Sequence, residues 1–178
     1  MNTLQPEYAA RIEELLRELG IPADYGRHRH LTLFPEAVDL ISVGSSPEGN
    51  DCRLFRPAAH RWNAMHAAAR TLKIELLPLS GFRSVERQAA IIRGKLDLGE
   101  PIFDILKSIA APGYSEHHTG CAIDVGSLEV LPLEEAFAHT HAFAWLIRHA
   151  GEFGFSLSYP KHNPFGFVYE PWHWCWHE

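Results

Sequence analysis

SEHHTGCAIDVG, residues 115–126, decides both the fold and the chemistry of this chain. It reads as a polar, glycine-containing turn that runs directly into a short strand. On that strand Ala122 and Asp124 share one face, while Cys121, Ile123 and Val125 share the other. The apolar set can therefore enter a core while Asp124 points back toward the turn carrying His117, seven residues earlier. A carboxylate inside so apolar a strand is costly without a partner. A cation held between Asp124 and His117 answers that need.

Working outward, a second cluster lies at EPWHW, residues 170–174, where Glu170 and His173 are three apart. On a flat strand they would point to opposite faces. Pro171 cannot donate to a ladder and belongs at an edge or bulge, which lets both side chains converge. A hydrolytic zinc site needs three protein ligands and one open position. His117, Asp124 and His173 can supply the three, and Glu170 a general base. Each cluster alone carries little weight, since a lone histidine is more often packed or at the surface. Cys175 and His177 alternate with His173, and either as a further ligand would close the site and suit structural zinc. The expectation is that Cys175 packs and His177 frays. Of the 12 histidines, His118 is expected to line the cleft or support its loop, and His139, His141, His149 and His162 to lie at the surface. Trp172, Trp174 and Trp176 are expected to pack on the side away from His173.

Around these clusters the texture is mixed. Residues 6–19 read as a helix closed by Gly20. Residues 21–57 break into short β-like pieces (HLTLF, DLISV, CRLF). Helices are expected at 58–72, 84–95, 101–110 and 134–153, with strands at IELLPLSGF, CAIDVG, FSLSYP and GFVYEPWHWCW. No regular βαβ rhythm appears, so the expected class is α+β: a small antiparallel sheet with helices packed around it, in a single domain. Residues 1–55 are expected to form an N-terminal helix and short-strand extension on a catalytic body of residues 56–178.

Composition bounds the rest. With 46% hydrophobic and 21% charged residues, disordered and fibrous classes drop out. The net charge of −6 argues against a nucleic-acid partner. The densest basic run, GRHRH at residues 26–30, reads as a solvated loop. No apolar run approaches the ~18 residues that a membrane span requires. The charged, amphipathic start of the chain lacks a secretory pattern. A cytoplasmic location is thus expected, with a periplasmic location or a non-standard export route as the alternative. Three cysteines at unrelated spacings imply no disulfide framework, and a monomer is expected.

SGFRSVERQ, GYSEHHTGCAID and EPWH, in this order, closely resemble the zinc D-alanyl-D-alanine carboxypeptidases of the VanY type and the related L,D-carboxypeptidases. The resemblance covers roughly residues 57–173. It implies the compact α+β hedgehog/DD-peptidase fold and one Zn2+ ion. It also implies removal of a C-terminal D-alanine from peptidoglycan stem peptides or muropeptides. By position, His117, Asp124 and His173 match the zinc ligands and Glu170 the base. Arg83 matches an arginine that polarises the scissile carbonyl, and Gln88 and Ser115 match residues that contact the substrate's terminal carboxylate. An arginine fork suits a carboxylate or a developing oxyanion. The family usually continues EPWHW with arginine, whereas Cys175 stands here. Two rival readings remain open: an endopeptidase of the same fold, and a non-catalytic, zinc-stabilised wall-binding module.

Overall fold

The structure, a computed structural model, describes residues 5–178. Residues 1–4, where the proposed N-terminal extension and the stretch read for an export signal begin, lie outside the described residues. The protein is an α+β fold organised on strand β4 (Ala122–Gly126), in which every residue is buried. Ile123 and Val125 join the main core with Trp62 and Met65 of helix α3 (Arg56–Thr71) and Leu146 of α6 (His141–His149). Strand alternation leaves Ala122 and Asp124 facing away from that core.

β4 pairs antiparallel with β3 (Leu77–Ser80) on one side and β6 (His173–Trp176) on the other, and β5 (Phe155–Leu157) closes the sheet in the order β3-β4-β6-β5. The register sets Asp124 opposite His173 and, across the other edge, opposite Ser80. Directly opposed residues of an antiparallel pair share a face. The ladder itself therefore brings Asp124 to a histidine 49 positions away in the chain. A separate hairpin, β1 (Leu40–Ser45) with β2 (Asp51–Phe55), precedes α3.

A second core lies beside the sheet. Ile12, Leu15 and Leu16 of α1 (Pro6–Glu18) cluster with Val85, Ala89 and Ile92 of α4 (Val85–Asp97) and Ile105 of α5 (Ile102–Ile105). Ser84 caps α4, its hydroxyl accepting from the Arg87 N–H.

Several elements differ from expectation. GRHRH is only partly a solvated loop: Tyr25–His28 form the short helix α2, Arg27, His28 and His30 stay exposed, and Arg29 turns inward. Arg29 donates to the Leu106 carbonyl at 2.6 Å, the Gly166 carbonyl at 2.5 Å and the Tyr25 hydroxyl at 3.0 Å, and lies 4.4 Å from the Phe167 ring centroid. One basic side chain thus ties the N-terminal segment to two loops of the body. HLTLF forms no strand, its carbonyls and amides meeting loop partners such as Gly113, which accepts from the Phe34 N–H at 2.8 Å. The expected helix at 134–153 is interrupted because Thr140 is extended and caps α6 through the Phe143 N–H, leaving 3-10 turns on either side. The 101–110 helix stops after one turn, and β6 starts only at His173. Arg29→Ala should lower the melting temperature by roughly 5–10 °C, because it removes charge-assisted bonds to two carbonyls and leaves the part-buried Leu106 oxygen without its donor. Scanning calorimetry checks this, and zinc affinity should stay unchanged.

Candidate active site

His117 sits in the 3-10 turn Glu116–Thr119, ended by Gly120 at φ 66. A Cβ at Gly120 would stand 2.7 Å from the Phe55 backbone nitrogen, so the turn needs glycine on two counts. Nδ1 of His117 lies 2.7 Å from the Gly81 carbonyl oxygen. That oxygen can only accept, so Nδ1 carries the proton and Nε2 the lone pair. Nε2 faces Oδ2 of Asp124 at 3.3 Å. Burial pushes the His117 pKa down, against the pull of Asp124. At this separation the pair needs a shared positive charge, either a proton on Nε2 or a metal ion.

His173 approaches from the opposite strand. Its Nδ1 lies 3.0 Å from Asp124 Oδ1 and its Nε2 2.9 Å from Glu116 Oε2. Burial alone would depress this imidazole, but its bonds to the two carboxylates push it up to about 10. Burial works against the Asp124 charge as well, yet His117 and His173 hold the carboxyl well below the usual range. One potential ligand atom from each of His117, Asp124 and His173 lies within 4.8 Å of the others, and all three residues are buried. Two imidazoles and a carboxylate suit zinc. Histidines that bind metals commonly give their other ring N–H to a carbonyl or carboxylate, which here are Gly81 and Glu116. The donor set therefore fits a divalent ion.

Glu170 reaches the same cleft by a route different from the expected bulge. The His173 N–H donates to the Glu170 carbonyl at 3.1 Å, closing a turn with Pro171 as its second residue. The turn, not a distorted strand, puts Glu170 and His173 on one side. Burial pushes the Glu170 carboxyl up to about 7, partly offset by the nearby His173.

Arg83 leaves the loop after β3, its N–H donating to the His117 carbonyl at 3.1 Å. Nη1 donates to Gln88 Oε1 at 3.0 Å and Nη2 to Ser80 Oγ at 3.1 Å, with Asp124 Oδ2 3.7 Å away. Gln88, buried on α4, donates in turn to the Ala110 carbonyl at 2.6 Å. Ser115 is buried ahead of the His117 turn. Arg83, Gln88, Ser115 and Glu170 all line one cleft of about 390 Å3 that reaches His117, Asp124 and His173.

Sequence reasoning missed Glu116, because nothing in its spacing links it to His173, 57 positions on. Its position beside a candidate ligand was the available signal. His118 is fully buried and supports the loop: Nδ1 bonds the Arg83 carbonyl at 2.6 Å and Nε2 accepts from the Gly113 N–H at 3.0 Å. Trp172 precedes β6 and packs against the main core as expected, but it also lines the cleft. Cys175 is buried with its thiol beside Glu116, burial and that carboxylate pushing it up. It is not one of the converging groups. His177 pairs with Ser156 Oγ at 3.1 Å.

The Gly81 carbonyl orients His117, and a Cβ at Gly81 would overlap the Arg53 carbonyl oxygen. Gly81→Ala should therefore shift that carbonyl and weaken metal binding about tenfold, with a loss of melting temperature. A competition titration with a chromogenic chelator measures the first effect.

Against known proteins, the family model described as D-alanyl-D-alanine carboxypeptidase (VanY) matches residues 51–178. The chain is 37% identical over 122 residues to the putative carboxypeptidase YodJ of Bacillus subtilis, a match spanning 66% of this chain and 44% of YodJ. It spans less than half the length of the curated relatives it matches. The solved structure of the LdcB LD-carboxypeptidase, described as revealing the basis of peptidoglycan recognition, superposes with TM-score 0.71 at 31% identity. That match covers 79% of this chain and 69% of LdcB. A vancomycin-resistance D,D-pentapeptidase, VanY, solved with Zn(II), shares the fold with TM-score 0.62 at 24% identity, covering 82% and 83% of the two chains.

Proposed function

The chain belongs to the VanY family of D-alanyl-D-alanine carboxypeptidases, and from that premise we propose that it is a zinc carboxypeptidase removing a terminal D-amino acid from peptidoglycan stem peptides. The observation that carries this reading is the convergence of His117, Asp124 and His173 in a cleft that also holds Glu170 and Arg83. A structural metal site needs neither a buried carboxylate base nor an arginine aimed into the same cavity.

His117 through Nε2, Asp124 through its carboxylate and His173 through Nδ1 would hold the ion. Bound there, zinc supplies a Lewis acid that acidifies water and polarises a carbonyl. Glu170, held near neutrality by burial, takes the proton of the attacking water and returns it to the leaving amine. Arg83, fixed by Gln88 and Ser80, offers its guanidinium to the oxygen that gains charge. Because Gln88 is itself anchored to Ala110, the fork is set before substrate arrives and costs no reorganisation. Gln88 and Ser115 line the part of the cleft assigned to the substrate's terminal carboxylate.

The test is incubation of zinc-loaded protein with tetrapeptide and pentapeptide stems, followed by mass spectrometry. Release of free D-alanine supports the proposal, and the preferred stem separates L,D from D,D cleavage. Fragments cut inside the stem would make it an endopeptidase, and zinc binding without any cleavage would make it a binding module.

A further inference from the structure

Pro132 and Leu133 are the central residues of a turn, and Leu133 sits at φ 58. A turn with proline second and left-handed backbone third is the arrangement that calls for glycine. Among the described residues the other non-glycine residues with positive φ are His30, Lys73 and His162. His30 and Lys73 each follow the last turn of a helix, where such backbone is an ordinary stop, and histidine is a type enriched in this region. Leu133 has neither explanation.

Packing does not supply one either. Leu133 is 50% exposed and joins none of the core clusters. Leu133 instead lines the cleft that holds Glu170 and Arg83. The polar end of that cleft is deep, since Gln88 and Ser115 are buried, whereas Leu133 and Val168 stand half-open at its mouth. A carboxypeptidase binds the terminal carboxylate in the deep end. The acyl side of the peptide must then leave past the mouth.

We infer that Leu133 is a specificity-determining residue: it packs on an aliphatic side chain carried by the peptide on the acyl side of the scissile bond. Backbone strain tends to cluster at functional sites, and here it coincides with exposed apolar surface in the cleft. This inference rests on the carboxypeptidase reading of the cleft.

Peptides ending in one or two D-alanines are made in pairs that differ only at the residue before them, norleucine in one member and alanine in the other. Wild type should favour the norleucine member. Leu133→Gly should lower kcat/KM on it about tenfold, chiefly through KM, and leave the alanine member within about twofold. Leu133→Gly should also melt at or above the wild-type temperature, since glycine adopts this backbone freely. Leu133→Met should keep the norleucine preference. Equal losses on both members, or no loss, overturns the inference. Calorimetric binding of the same peptides to Glu170→Gln, with and without Leu133→Gly, reads the preference without turnover. If wild type releases nothing but the Leu133-dependent preference persists in binding, the carboxypeptidase reading fails, and with it the acyl-side assignment, leaving only the contact between Leu133 and the aliphatic side chain. If wild type releases D-alanine with no such preference, the role of Leu133 alone fails. If no peptide is cleaved or bound, both fail.

Discussion

Glu170→Gln is expected to lower turnover by about 10^3-fold, within the range that a general base supplies, while zinc affinity stays within about threefold of wild type. The two halves of this expectation rest on different observations. Glu170 is buried in the cleft but is not one of the converging ligand groups, so an isosteric amide should leave the ion's environment intact. Its carboxyl is pushed up to about 7 by burial, which suits proton exchange near neutrality, and glutamine cannot exchange a proton. The substitution should also raise stability or leave it unchanged at pH 7.5. A carboxyl whose folded pKa exceeds its unfolded value costs stability as pH rises from about 4.5 to about 7, and the amide removes that cost. Such a gain in stability with a loss of activity is the ordinary signature of a strained catalytic group. D-alanine release, chelator competition and a melting curve measure the three quantities. Retention of more than a tenth of the activity would place the base elsewhere, and a large fall in zinc affinity would make Glu170 a ligand.

What the chain reveals before folding, and what it hides, divides along a physical line. Alternation along residues 121–125 was enough to orient Asp124, because a fully buried strand leaves only one face for a carboxylate. The convergence of Asp124 with His173 is expected from the three ligands a hydrolytic zinc site needs and from the family resemblance, and not from any periodicity. The α+β class was legible from the irregular mixture of short strands and helices. Lengths were not. Thr140 and Glu134 break the expected long helix because extended backbone at a cap competes locally with helical periodicity. HLTLF alternates like a strand but meets loop amides and carbonyls instead of a ladder. Arg29 read as solvated because nothing in GRHRH announces the distant carbonyls of Leu106 and Gly166. Glu116 and Leu133 escape a reading of periodicity for a related reason. Their significance lies in a hydrogen bond across 57 residues and in a dihedral angle, and neither leaves a periodic trace in sequence.

Asp124→Asn should abolish the zinc-dependent rise in melting temperature. In wild type, zinc at 1,000 times its dissociation constant adds about 4 kcal/mol to the folded state, or roughly 10 °C for a chain of this size. Chelation should reverse it. Asp124 is the shared element of the centre: Oδ1 meets His173 Nδ1 at 3.0 Å, and Oδ2 meets His117 Nε2 at 3.3 Å and Arg83 Nη2 at 3.7 Å. Asparagine keeps the volume and one oxygen but removes the charge that offsets a divalent ion, so the zinc-induced shift should fall below about 2 °C under the same conditions. The metal-free variant will also melt lower than metal-free wild type, because His173 and Arg83 lose a buried counter-charge, a class of change costing about 3–5 kcal/mol. The informative quantity is therefore the shift within each protein, not the difference between them. A full shift in Asp124→Asn would mean that the carboxylate serves only the ion pairs of the fold. The assignment of the centre would then pass to the two histidines and some other donor.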